Sequence, residues 1–126
     1  AAALGKKYTV TGFDIKPAGA FVIAGRDNFV KDDVFSGKNT EFDSWQLELS
    51  DYDPKDPPVA VWHGSEDKLI PVEYGIDIYN RCSKSGIKVA KYIIQGGPHV
   101  CWNCEYMEQP VLYWIENFAQ EYLNIN

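Results

Sequence analysis

Two short loops of this 126-residue chain hold the side chains best suited to catalysis. One is Gly64-Ser65-Glu66-Asp67-Lys68-Leu69-Ile70-Pro71 and the other is Gln95-Gly96-Gly97-Pro98-His99. Each follows a short apolar run, and Asp67 and His99 stand at matching places a few residues beyond it. If the two runs are neighbouring parallel strands, both side chains reach one edge of a sheet, where open α/β sheets carry function. A carboxylate there can hold one imidazole nitrogen, fixing the tautomer and stabilising the imidazolium, and the other nitrogen is then a general base. The blander alternative makes Asp67 the cap of the turn or helix that follows, with His99 an ordinary loop histidine. The glycines flanking both residues favour the paired arrangement.

Other groups compete for attention. Cys101-Trp102-Asn103-Cys104 has the Cys-x-x-Cys spacing of a dithiol or of half a zinc site. A redox pair needs its first cysteine at a helix start, whereas Pro110 sets the expected helix start several residues later. Zinc needs four ligands, and His99, Cys101 and Cys104 offer three, with His63 or Cys82 as a distant fourth. Two cysteines spaced by chance, or buried as small residues, is the favoured reading, and no metal is expected. Glu66, Asp67 and Glu73 read as a solvated loop rather than a cation site. Trp102, Tyr106, Tyr113 and Trp114 read as core or as packing beside the mouth of a site.

The elements that position these loops are written in the apolar pattern. Val59-Ala60-Val61-Trp62-His63, fronted by prolines and ended by Gly64, suits a strand buried on both faces. Pro71 opens a helix with Val72, Ile76, Tyr79 and Cys82 along one side and Gly86 as its stop. Lys88 to Ile94 is a second strand. After Pro110, the spacing of Val111, Ile115, Phe118, Ala119 and Tyr122 predicts a final amphipathic helix. Strand, helix, strand, helix is α/β grammar.

Ahead of the acidic, proline-rich connection Asp51 to Pro58 the pattern is weaker. Tyr8 to Thr11 suits an extended segment. Val22, Phe29, Val30 and Val34 predict one helix within Ala20 to Phe35, stopped by Gly37. Ser44 to Leu49 is either a short strand or a hydrophobic anchor on Trp45 and Leu47. The expected organisation is residues 1–58 as a poorly patterned segment and residues 59–126 as the patterned α/β part.

The run from Val59 to Val72, with its His-Gly strand end, its aspartate in the next loop and its Ile-Pro before a helix, resembles the acid-bearing segment of the α/β-hydrolase family. Gly96-Gly97-Pro98-His99 resembles that family's glycine-rich turn before the catalytic histidine, and the chain order, acid before histidine, agrees. The resemblance covers Pro58 to Tyr122 and is vague over Phe21 to Leu49, where a helix and Trp45 match a segment leaving a cap domain. It implies the carboxyl-terminal part of a parallel hydrolase sheet and a serine-type hydrolase of ester, thioester or related substrates. Asp67 and His99 are then the catalytic acid and histidine, His63 is structural, and no cofactor is needed. Residues Val100 to Tyr106 line the mouth.

The family's Gly-x-Ser-x-Gly is absent. Ser65 lies in the acid loop, and Ser83 and Ser85 end a helix. The expected nucleophile is therefore not on this chain, and a second chain or segment is expected to supply the rest of the sheet. The alternative is a non-catalytic binding or interaction module derived from a hydrolase.

Composition narrows the partners. Hydrophobic content of 45% with 24% charged residues argues for a globular chain rather than a disordered one. The net charge of −6 has no basic face to set against it, and no lysine or arginine follows Lys91. Nucleic acid and anionic membrane surfaces are therefore not expected partners. No apolar run approaches the ~20 residues of a membrane span. Ala1 begins no basic-then-apolar leader, and with Met107 the single methionine the chain reads as processed or truncated. Three cysteines cannot all pair internally, so reduced thiols and a cytoplasmic location are expected.

Overall fold

The computed structural model describes residues 17–26 and 49–125. Its frame is strand β1 (Ala20–Ile23), strand β2 (Val59–Gly64), helix α1 (Val72–Lys84), strand β3 (Val89–Ile94) and helix α2 (Val111–Leu123). A 3-10 turn (Leu49–Asp51) precedes β2. A small antiparallel hairpin, β4 (Glu105–Tyr106) with β5 (Gln109–Pro110), stands between β3 and α2. The three longer strands form one parallel sheet in the order β1-β2-β3. The fold class is α/β, as the apolar pattern predicts.

Alternation along β2 explains why its sequence is apolar without a break. Ala60 and Trp62 face one layer, where they meet Tyr92, Ile94, Cys101, Val111 and Phe118 beneath α2. Val61 faces the other, against Ile78, Cys82 and Ile87 around α1. A central parallel strand covered on both sides leaves no polar face. The register sets Val59 opposite Val89 and Gly64 opposite Ile94. Both strands thus finish level, and the loops that leave them start side by side.

Helix α1 ends where its sequence says it must. Gly86 has φ +77°, a left-handed conformation that costs an L side chain energy. Its amide and that of Ile87 turn back to the carbonyls of Ser83 and Cys82 at 3.2 and 2.9 Å. Ile87 then packs beside Cys82, which completes a Schellman motif. The buried stripe of α1 is Tyr74, Gly75, Ile78 and Cys82, not the expected Val72, Ile76, Tyr79 and Cys82. A glycine at 75 is the cause: it lets the helix settle against β2 on that side. Helix α2 buries Val111 and Phe118 and packs Ile115 and Tyr122 against the same core, as its spacing predicts.

The segment beginning at Ala20 is a correction. It opens as strand, not helix, and pairs with Val59–Trp62. The amides of Ala20 and Ala24 donate to the carbonyls of Pro58 and Trp62 at 3.0 and 2.9 Å, so backbone groups are satisfied across the sheet. Phe21 sets its ring among Trp62, Tyr92 and Phe118, with centroids 5.9 to 6.3 Å away. The rest of the expected helix, with Phe29, Val30, Val34 and Gly37, lies outside the described residues, as do Tyr8 to Thr11, Trp45 and Leu47. Leu49 starts the 3-10 turn and is exposed, which removes it from any anchor. The connection before β2 is more ordered than its composition suggests. Asp56 is buried and its carboxylate accepts the Asp53 amide at 2.9 Å, while Asp53 accepts that of Lys55 at 2.8 Å.

Candidate functional site

The two loops meet at the carboxyl end of the sheet. Ser65 N–H donates to Ile94 O and Glu66 N–H to Gly97 O, at 2.9 and 3.0 Å. The Ser65 hydroxyl oxygen accepts the Gly96 amide at 2.8 Å. The backbones approach so closely that a Cβ on Gly64 would lie 2.2 Å from the Gly97 carbonyl oxygen. Only a glycine fits there, and that contact holds the acid loop against the histidine loop.

Asp67 and His99 are brought together. The Nδ1 of His99 lies 2.8 Å from Oδ2 of Asp67. The other carboxylate oxygen, Oδ1, accepts the amides of Leu69 and Ile70 at 2.9 and 2.8 Å. The capping role and the pairing role, rivals in the sequence, thus fall to different oxygens of one carboxylate. The Asp67 side chain is fully buried while that of His99 is 32% exposed. Burial on its own raises the pKa of Asp67. The hydrogen bond from His99 and the amides of Ile70 and Leu69 outweigh it, and the carboxyl sits below the ordinary 3.8.

His63 stands behind the acid. Fully buried, it places Nε2 2.7 Å from the Ile70 carbonyl and 3.3 Å from Asp67 Oδ2. A carbonyl oxygen only accepts, so Nε2 carries the proton and points it between the two. Its Nδ1 has no hydrogen-bond partner among the described residues and abuts Gly75, where an added Cβ would come within 2.6 Å. His63 thus ties the acid loop to the sheet.

Other expectations sort themselves by position. Ser65 spends its oxygen on the Gly96 amide, and Ser83 and Ser85 lie at the end of α1 that leads into the start of β3, at the far side of the sheet. Cys101 is 1% exposed and sits in the core. Burial, with Cys104 close by, pushes its thiol up. Among the described residues no three His, Cys, Asp or Glu side chains are grouped to hold a metal ion. Glu66 and Glu73 are exposed. Trp102 is exposed, Tyr106 and Trp114 pack against the core, and Tyr113 is half-exposed. Of the expected mouth residues, Cys101 belongs to the interior.

The sequence reading missed two supports of the histidine loop. The Trp62 indole N–H donates to the Cys101 carbonyl at 2.9 Å, anchoring the chain two residues past His99. Val100, between them, has φ 53°, a left-handed backbone rare for a β-branched residue. The indole bond had no local signal, because it depends on a strand distant in sequence. Pro98 does not keep His99 from the acid.

Solved structures resemble this arrangement over nearly the whole chain. An acetyl ester-xyloside bifunctional hydrolase from Caldicellulosiruptor lactoaceticus matches at TM-score 0.66 and 16% identity, covering 98% of this chain and 53% of its own. A sugar hydrolase from Lactococcus lactis matches at TM-score 0.64 and 17% identity, covering 98% of this chain and 54% of its own. MGS-M1, an α/β hydrolase enzyme from a Medee basin deep-sea metagenome library, matches at 0.58 and 17%, covering 89% and 47%. No protein-family model and no curated protein matches the chain. The fold is that of the α/β hydrolases. The chain spans about half the length of these three structures.

Proposed function

We propose that this chain is the acid- and histidine-bearing part of a serine-type hydrolase acting on carboxylic esters, thioesters or related small molecules. The observation that carries the reading is the 2.8 Å pair of His99 Nδ1 with the buried Asp67 carboxylate, set on a ring that is one-third exposed. Asp67 accepts the Nδ1 proton and so keeps Nε2 unprotonated and available. His99 takes the proton of a serine hydroxyl as it attacks the carbonyl carbon, and Asp67 stabilises the imidazolium. His99 then returns that proton to the leaving alkoxide or thiolate, and in the second half-reaction it draws one from water. The serine and the oxyanion donors come from polypeptide outside these residues, which also completes the sheet. Residues 1–58 supply β1 to the sheet and, apart from it, a cap-derived segment.

The test is a fluorophosphonate serine probe on the purified protein that carries this chain, read by denaturing mass spectrometry. The expected result is an adduct on a serine outside these residues, with turnover lowered roughly ten-thousand-fold by Asp67→Asn or His99→Ala in protein that is still folded. Wild-type rates in both variants would end the assignment. With no adduct and no turnover, the protein would instead be a binding module built on a hydrolase fold.

A further inference from the structure

We propose that Cys101 and Cys104 form a reversible disulfide across the turn that follows His99, making that loop a site of oxidative modification. The inference concerns the thiols alone and does not depend on the hydrolase reading. The two residues are the ends of a tight turn, closed by the Cys104 amide donating to the Cys101 carbonyl at 3.3 Å. Such a turn holds its end residues within ~7 Å, a Cα separation that a disulfide spans. Both side chains belong to one cluster: Cys101 lies inside it, and Cys104 packs against it from the rim. The Cys104 thiol lies 4.0 Å from Asn103 Oδ1 within the same turn, so it is free to turn toward Cys101. Cys82, the third cysteine, is buried on the opposite face of the sheet with Val61 and Ile78, out of reach.

Exposure assigns the roles. Cys104 is partly accessible, whereas Cys101 is sealed under Trp62 and its thiol is pushed up by burial. A small disulfide oxidant such as oxidised glutathione therefore meets Cys104 first. The Cys104 thiolate attacks one sulfur, a mixed disulfide forms, and one glutathione leaves. Cys101 gives up its proton and attacks the Cys104 sulfur, displacing the second glutathione. Two protein thiols are oxidised to one disulfide, one glutathione disulfide is reduced to two thiols, and the two protons end on those thiols.

The position gives the bond a consequence. The chain between His99 and Cys101 passes through the left-handed Val100 and is held at Cys101 by the indole of Trp62. The disulfide adds a covalent tie from that anchor to the start of β4, so it restrains the departure of the chain from His99.

The folded protein is equilibrated in buffers of reduced and oxidised glutathione, trapped with N-ethylmaleimide, digested and weighed. The expected product is a peptide with Cys101 and Cys104 unalkylated and lighter by two hydrogens. Its equilibrium constant against glutathione should exceed that of the urea-unfolded chain by about tenfold or more, because the fold holds the pair together. Cys101→Ser should stop at a glutathione adduct on Cys104, and Cys82→Ser should leave the bridge intact. Alkylation of both cysteines, a stable mixed disulfide in the wild type, or equal constants in the folded and unfolded chains would overturn the proposal.

Discussion

Asp67 has four hydrogen-bonding neighbours for its two oxygens, and a carboxylate so placed makes the fold sensitive to acid. Its pKa in the folded chain lies below the ordinary 3.8 that the unfolded chain should show. A depressed carboxyl stabilises the native state above the unfolded value, and that contribution disappears as pH falls through the folded value. Asp67→Asn keeps an oxygen for the amides of Leu69 and Ile70 but loses the charge facing His99. At neutral pH the change should cost about 1.5–3 kcal/mol, the range for hydrogen bonds to charged groups. The difference between wild type and variant should shrink as pH is lowered below about 4. Thermal unfolding of both proteins across that range checks this, and parallel profiles would show that the folded pKa is not depressed. His63 belongs to the same argument, since its Nε2 proton lies between Oδ2 and the Ile70 carbonyl.

Helix α1 is where one missing side chain decides how an element packs. Gly75 leaves the room that the imidazole of His63 fills, with Val61 Cγ1 next nearest, 3.1 Å from an added Cβ. Neither neighbour has space to retreat, since both are fully buried in the centre of the sheet. Gly75→Ala should therefore destabilise the fold by about 1–3 kcal/mol despite the better helix propensity of alanine. In a His63→Ala background the same change should cost less, because the nearer of the two clashes is gone and only Val61 remains tight. Urea unfolding of the four proteins measures the coupling, and additive effects would show that Gly75 and His63 do not share this space. This glycine also explains why the sequence placed the helix but not its face: periodicity weighs apolar side chains, and the closest approach is made where there is none. Strands β2 and β3 and both helices were legible because breakers bound them and a two-sided core requires their apolar runs. The start of β1 was not, since Val22 also fits a helical spacing and its strand state depends on β2, far along the chain. The β4–β5 hairpin gave no signal either. Its two-residue turn puts Met107 and Glu108 at φ 49° and 63°, where glycine or asparagine is the usual mark. Asp67 and His99 were legible as a pair because each follows a strand, and levelled strand ends do the rest.

At the scale of the whole molecule, the sheet formed by the described residues is covered on both faces and ends at β1 on one side. Helix α1 packs on one face and α2 on the other, and β2 is buried almost throughout. Among the described residues, β1 is an end strand, and all four of its residues remain half-buried although they are Ala20, Phe21, Val22 and Ile23. Such an edge presents unpaired backbone groups flanked by apolar side chains, the arrangement that recruits another strand. The solved structures with this fold are about twice as long as this chain. The 126-residue chain on its own should then associate through β1, eluting larger than a monomer and melting at a concentration-dependent temperature. Val22→Pro, which removes a backbone donor and breaks the strand geometry of that edge, should move the elution toward monomer at some cost in stability. Sizing with light scattering decides between the cases: a wild-type monomer with high, concentration-independent thermal stability would mean that the β1 edge is already satisfied by residues of this chain.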